Sequence, residues 1–336
     1  MDPLIVWLTI FILSLIALVK GADWLLKSSE KIGLAIGLSP FVIGVLMVSL
    51  GTSFPELIAA AFAAFKGITE FAPANAIGSN LANILLVVGF SAIVAGRLVT
   101  TKSLINTELP LLAIGTAIFL AIAWDGSISI FEGVIMLLAY GIYVFYTAKD
   151  KRDEVEDNVE IKLPSRVERR EHSSHSMDTI SKPSEKPSLK ILDVVFFLIG
   201  ALLLTLGSKY LIDSVTSLSM ILNTGVGIIT ITAVAIGTSL PELLVSVKAA
   251  LKKNYDVALG NIFGSNAFNM MVVVGLPAIF FPVELDAQSF TIGLPFLAVT
   301  TLLFVISGIS KAINSWEGAF YICLYIIFIS TLLGFS

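Results

Sequence analysis

Charge is scarce in this chain. Only 14% of its 336 residues are Asp, Glu, Lys or Arg, against roughly a quarter in an ordinary soluble domain. Nearly half of that charge is confined to residues 149–190, which hold 10 of the 21 Lys/Arg and 10 of the 25 Asp/Glu. Elsewhere the chain cannot cover itself with solvated side chains. With 56% hydrophobic residues and a mean hydropathy of +0.94, it requires a bilayer as solvent. A soluble enzyme, a nucleic-acid binder and a disordered chain are excluded; the pI of about 5.3 comes with no basic patch. Cysteine is nearly absent: Cys323, in an apolar run, can form neither an internal disulfide nor a Cys-based zinc site. Histidine is limited to His172 and His175 in the charged stretch, so the apolar body offers no His-ligated metal, haem or proton relay. No cofactor is expected. Met1-Asp2-Pro3 lacks the basic n-region of a signal peptide, so the first apolar run is expected to stay as a span.

What is present is apolar sequence in lengths that suit a membrane. About 20 apolar residues cross the ~30 Å hydrocarbon core as a helix. That length predicts ten transmembrane helices, near 4–30, 39–65, 71–97, 104–124, 129–148, 189–214, 225–250, 255–281, 288–309 and 314–334. Nothing alternates as in a membrane β-barrel. With the N-terminus outside, the inner loops and helix ends collect 19 Lys/Arg against 2 outside, or 9 against 2 without the long loop. Both termini are then outside the cell membrane and the 149–188 loop is cytoplasmic. That loop, rich in Ser, Lys and Glu with Pro164, Pro183 and Pro187, reads as a flexible tether.

The chain also repeats itself. A shift of 186 residues aligns Gly51-Thr52-Ser53-Phe54-Pro55-Glu56-Leu57 with Gly237-Thr238-Ser239-Leu240-Pro241-Glu242-Leu243. In the same register Asn75 to Asn83 meets Asn261 to Asn269, and 18 of the 39 positions from 51 to 89 are identical. Gly21 falls on Gly207. The organisation expected is a first five-helix unit, 1–148, the 149–188 loop, and a second unit, 189–336. Five is odd, so the second unit enters the membrane from the opposite side, a plan common among secondary transporters with sites at the midplane. The fold class is an all-α integral membrane protein built of two inverted five-helix repeats.

Glu56 and Glu242 are the carboxylates near the middle of predicted spans. A mid-membrane charge costs at least ~2.5–3.5 kcal/mol on insertion scales, so two in the same seven-residue context point to function. Pro55 and Pro241 free the carbonyls four residues back, Gly51 and Gly237. Thr52 and Ser53 stand i,i+4 and i,i+3 to Glu56 and are expected on its helix face, with Thr238 and Ser239 in the matching positions. Carboxylate, hydroxyl and carbonyl oxygens suit hard cations such as Ca²⁺ and Na⁺. Ser79 and Asn83, mirrored by Ser265 and Asn269, complete the shell; Asn75/Asn261 and Asn80/Asn266 read as capping or packing residues. Asp23/Lys27 and Lys209/Asp213 each read as a local i,i+4 ion pair.

At these motifs the sequence resembles the cation/Ca²⁺ exchanger superfamily, whose two α-repeats carry Gly-Thr-Ser-x-Pro-Glu and Gly-Asn-x-x-Gly-Ser-Asn, and within it the prokaryotic Na⁺/Ca²⁺ exchangers. The resemblance implies a non-enzymatic antiporter, sufficient as a monomer, with one Ca²⁺ and three Na⁺ sites at its centre. Glu56 and Glu242 would be shared. The carbonyls of Thr52 and Thr238 would complete the Ca²⁺ site. Ser53, Ser239, Ser79 and Ser265 would serve Na⁺ with the carbonyls of Ser49 and Ala235, and Asn83 and Asn269 would line the middle. Ala74 departs from the motif glycine, and Asn269 stands where some members carry an aspartate associated with K⁺ dependence, so exchange without K⁺ is expected. Two carboxylates supply about −2, which either Ca²⁺ or several Na⁺ neutralise, and mutual exclusion at such a site gives counter-transport. The first and sixth helices would be the moving pair. H⁺/Ca²⁺ exchange, a cation channel and an intramembrane hydrolase remain as alternatives.

Overall fold

The computed structural model describes residues 2–35, 52–99, 104–162 and 190–334. The described spans are helical, as lipid demands, since a helix satisfies its backbone polar groups within one segment. Among the described residues eight helices are long and apolar enough to cross a membrane, nine if the bent pair Val226–Thr238 and Leu240–Leu251 is one span. Of the second expected span, 39–65, Phe54–Phe65 is described as a helix; positions 39–51 lie outside the described residues.

Two long helices, α1 (Pro3–Ala35) and α7 (Ile191–Leu222), lie chiefly against each other. Small residues bring them close. A Cβ on Gly200 would stand 2.7 Å from the Leu25 nitrogen, and one on Gly21 would stand 2.9 Å from the Gly200 carbonyl. α2 (Phe54–Phe65) precedes the first central helix, which runs through α3 (Phe71–Leu81), a π-helical stretch π1 (Ala82–Val88) and α4 (Gly89–Ala95). Then come π2 (Leu104–Glu108) with α5 (Leu109–Ile122), and α6 (Ile130–Lys162). After α7 the same order returns: α8 (Val226–Ile229), π3 (Thr230–Val234) and α9 (Ala235–Thr238) lead to α10 (Leu240–Leu251). α11 (Tyr255–Phe268), π4 (Asn269–Val273) and α12 (Gly275–Phe280) form the second central helix, followed by π5 (Ser289–Gly293) with α13 (Leu294–Ile309), and α14 (Ser315–Leu332). α10 starts and ends 186 residues after α2. The central spans Phe71–Ala95 and Val257–Phe280 are 78% and 83% buried, whereas the others lie between 17% and 39%; these two form the core.

Two short antiparallel ribbons tie the halves together. β1 (Arg97–Val99) pairs with β4 (Ala312–Asn314), and β2 (Ser127–Ile128) with β3 (Val283–Glu284). Ion pairs add Lys31 on α1 to Asp193 on α7 at 2.7 Å, and Lys66 after α2 to Asp213 on α7. The second of these corrects an expectation. Lys27 meets Asp23 locally at 2.7 Å, but Lys209 does not meet Asp213; its Nζ lies over the Tyr210 ring. In the second half Lys precedes Asp, the weaker i,i+4 orientation, and Lys66 competes from the neighbouring helix.

Helix α6 runs on to Lys162, beyond its expected end at 148. Residues 163–189 lie outside the described residues.

Candidate functional site

The second Gly-Thr-Ser-x-Pro-Glu motif breaks its span. Pro241 is the second residue of α10, where its missing N–H removes no intrahelical bond. Ser239 ahead of it sits at φ −83°, ψ 4°, and the axis bends by 41° between Val226–Thr238 and Leu240–Leu251. Ser53 ahead of α2 has nearly the same backbone, φ −95°, ψ 9°. Glu56 and Glu242 thereby fall in the first turn of α2 and α10, where the positive helix end favours a carboxylate. Both are fully buried.

The hydroxyls do not serve the glutamate of their own motif. Thr52 and Ser53 precede the helix in a turn, so the expected shared face with Glu56 is not formed. Instead Ser53 Oγ donates to Glu242 Oε1 at 2.9 Å. Ser265 Oγ reaches the same oxygen at 3.4 Å, and Thr52 Oγ1 lies 3.2 Å from Ser265 Oγ. Thr238 in turn lies beside Glu56. Each motif completes the surroundings of the other.

The central helices cross-link in the same manner. Asn80 Nδ2 donates to the Asn266 carbonyl (3.1 Å) and Asn83 Nδ2 to Asn266 Oδ1 (3.2 Å). Asn80 and Asn266 thus pack, as expected, but mid-helix rather than as caps. Asn83 and Asn269 both belong to π-helical stretches, which often mark functional sites because the extra residue re-aims side chains. No sequence signal announced them. Gly78 lets α3 approach the bent span: a Cβ there would stand 2.3 Å from the Ile231 carbonyl oxygen.

Several polar atoms at this centre are buried without a hydrogen-bond partner among the described residues. They include both Glu56 oxygens, Glu242 Oε2, Ser79 Oγ, Ser239 Oγ, Asn83 Oδ1 and the Asn269 amide. Buried polar groups in native proteins almost always find partners, so this cluster of free oxygens has the character of a ligand shell. Among the described residues no group of three or more His, Cys, Asp or Glu is present, so the donors are two carboxylates plus neutral oxygens. The Ala235 carbonyl accepts Ser239 N–H at 3.1 Å and, at 3.5 Å, the Thr238 hydroxyl. Ser49 lies outside the described residues.

Sequence reasoning missed Glu108, a buried carboxylate at the junction of π2 and α5 that accepts the Tyr143 hydroxyl at 2.8 Å. Its place inside a predicted span, near the end, was the available signal.

A bundle of apolar helices around buried, oxygen-rich and mirrored motifs defines a multi-pass membrane transporter of the antiport class. The chain belongs to the sodium/calcium exchanger protein family, whose model matches residues 6–149 and 192–334 and skips the charged stretch between. The sodium/calcium exchanger MaX1 of Methanosarcina acetivorans is 28% identical over 96% of this chain and 97% of its own length. The solved structure of the sodium-calcium exchanger NCX_Mj soaked with Na⁺ and Sr²⁺ is 28% identical, covers 98% of this chain and 99% of that one, and superposes with a TM-score of 0.63. Vacuolar cation/proton exchanger 2 of Oryza sativa is 25% identical over 95% of this chain and 74% of its own length.

Proposed function

We propose that this chain is a secondary-active antiporter exchanging Na⁺ for Ca²⁺ by alternating access, electrogenic and independent of K⁺. The observation that carries this reading is the pair of fully buried glutamates, each flanked by hydroxyls of the opposite motif and by unpartnered oxygens. Ca²⁺ is held between Glu56 and Glu242 with the carbonyls of Thr52 and Thr238. Na⁺ ions use the same carboxylates with Ser53, Ser79, Ser239 and Ser265, the carbonyls of Ser49 and Ala235, and the amides of Asn83 and Asn269. One divalent or several monovalent ions neutralise the two carboxylates, and the two loads exclude each other. Three Na⁺ for one Ca²⁺ moves one net charge per cycle, worth ~2.3 kcal/mol per 100 mV. The donors all come from one chain, so a monomer suffices.

Ten helices in two inverted halves fit the way the ends meet. With both termini outside and the 149–188 loop cytoplasmic, Lys31 and Asp193 share the inner side and Lys66 and Asp213 the outer side, and both pairs form ion pairs. β1 and β4 likewise share the inner side, β2 and β3 the outer. The α1–α7 unit, packed chiefly on itself, is the part that moves against the bundle. Asn in both π-helical positions accords with exchange that does not need K⁺.

The test is uptake of radiolabelled Ca²⁺ into proteoliposomes under imposed Na⁺, K⁺ or H⁺ gradients. Na⁺-driven uptake, unaffected by K⁺, is expected. The likeness to a cation/proton exchanger favours H⁺ coupling as the second reading, and uptake driven by a pH gradient but indifferent to Na⁺ would establish it instead.

A further inference from the structure

The two halves of the site use matching residues but do not satisfy them equally. Asn261, on α11, donates its Nδ2 to Ser246 Oγ at 3.1 Å and to the Glu242 carbonyl at 3.4 Å. Its Oδ1 accepts the Thr52 hydroxyl at 3.3 Å. In the register of the repeat, Asn261 becomes Asn75 on α3, and its three partners become Ala60, the Glu56 carbonyl and Thr238. Asn75 is fully buried, yet neither its Oδ1 nor its Nδ2 has a hydrogen-bond partner among the described residues.

The residues supply two reasons. Ala60 has no hydroxyl where Ser246 has one. Thr238 gives its hydroxyl to the Val234 carbonyl at 3.1 Å, back along its own span, whereas Thr52 reaches across to Asn261. The imbalance extends to the carboxylates: Glu242 Oε1 accepts from Ser53 and Ser265, while both Glu56 oxygens are without partners among the described residues. One half is braced by the protein itself. Among the described residues the other leaves its amide and its carboxylate without a hydrogen-bond partner.

We infer that Asn75 supplies its amide oxygen to a Na⁺ ion held beside Glu56, a role that rests on the cation-exchange reading above. An amide locked by three hydrogen bonds must break them to turn toward an ion, whereas Asn75 has none to break among the described residues. The charge also selects the ion. Glu56 with neutral oxygens forms a site of about −1, which one monovalent cation neutralises, whereas a divalent cation needs the second carboxylate. Asn75 therefore acts on Na⁺ more than on Ca²⁺.

The experiment uses the full-length purified protein and measures Na⁺ displacement of bound radiolabelled Ca²⁺, together with Ca²⁺ binding in the absence of Na⁺. Asn75→Ala is expected to weaken Na⁺ competition about tenfold, the scale of one hydrogen-bond-sized contact, and to move Na⁺-free Ca²⁺ binding far less. Ala60→Ser offers Asn75 the hydroxyl that Ser246 offers Asn261. It is expected to weaken Na⁺ competition in the wild-type background and to have no further effect when combined with Asn75→Ala. A packing role would not produce that non-additivity. An Asn75→Ala protein that melts like the wild type and competes with Na⁺ as the wild type does would overturn the inference. If Asn75→Ala does not fold, unchanged Na⁺ competition in Ala60→Ser overturns it equally. Gradient-indifferent Ca²⁺ uptake by the wild type removes the exchange reading alone, whereas normal Na⁺ competition in the variants removes this inference alone.

Discussion

Replacing Glu242 by Gln isolates charge from shape. The side chain keeps its length, and its Oε1 still accepts Ser53 Oγ, which stands at 2.9 Å in the native protein, and Ser265 Oγ at 3.4 Å. The fold around α10 should therefore persist. Only the balance changes: the site carries about −1 instead of −2, so a bound Ca²⁺ leaves one uncompensated positive charge in the buried centre. A charge at that depth costs ~2.5–3.5 kcal/mol on insertion scales. At about 1.4 kcal/mol per tenfold, Ca²⁺ affinity should fall by roughly two orders of magnitude. One Na⁺ on the remaining Glu56 is still neutralised, so residual Na⁺ binding should survive better than Ca²⁺ binding. Equilibrium binding on the purified variant and Na⁺-driven uptake in proteoliposomes measure the two halves of this expectation. Glu242→Asp, which keeps the charge and shortens the arm, should fall between the variant and the wild type. A Glu242→Gln protein that exchanges Na⁺ for Ca²⁺ at the wild-type rate would refute the assignment of the site, and with it the charge argument.

Other expectations are sharper for being local. Ser53→Ala removes the 2.9 Å donor to a buried carboxylate, a loss on the order of 1.5–3 kcal/mol; it should weaken the Na⁺ dependence of uptake more than Ca²⁺ binding, and more than Ser265→Ala, whose contact is 3.4 Å. Gly78→Ala drives a Cβ to 2.3 Å from the Ile231 carbonyl oxygen. Overpacking of that kind costs ~1–3 kcal/mol and should lower the melting temperature, whereas Gly141→Ala, with nothing within 4 Å, should not. Tyr143→Phe takes one donor from the buried Glu108, worth ~1–3 kcal/mol of stability; thermal unfolding should register it while the ion dependence of uptake stays as in the wild type.

How much of this was legible beforehand follows from the range of the forces involved. Membrane residence, the helical class, most span positions, the repeat and the two glutamates rest on composition, hydropathy and the match of the chain to itself. All of these are properties of consecutive residues, and a bilayer converts them almost directly into helices. The motif residues Ser79, Ser239, Ser265, Asn83 and Asn269 were likewise visible as mirrored oxygens and amides, and the structure buries every one of them.

The partnerships were not visible. Ser53 was read beside Glu56 because helical spacing puts it there, but the helix starts one residue later, at Phe54, and the hydroxyl turns to Glu242. Asp213 was assigned to Lys209 on spacing, and Lys66 took it from the end of another helix. The π-helical turns at Asn83 and Asn269 leave no mark in the residue types that form them. Asn75 and Asn261 occupy equivalent places in the repeat, and only the docking of the halves distinguishes the idle amide from the locked one. The sequence by itself determined which groups must lie in the membrane, because burial there acts on each residue separately. Tertiary structure decided which of them face each other, because hydrogen bonds and ion pairs depend on distances between segments far apart in the chain.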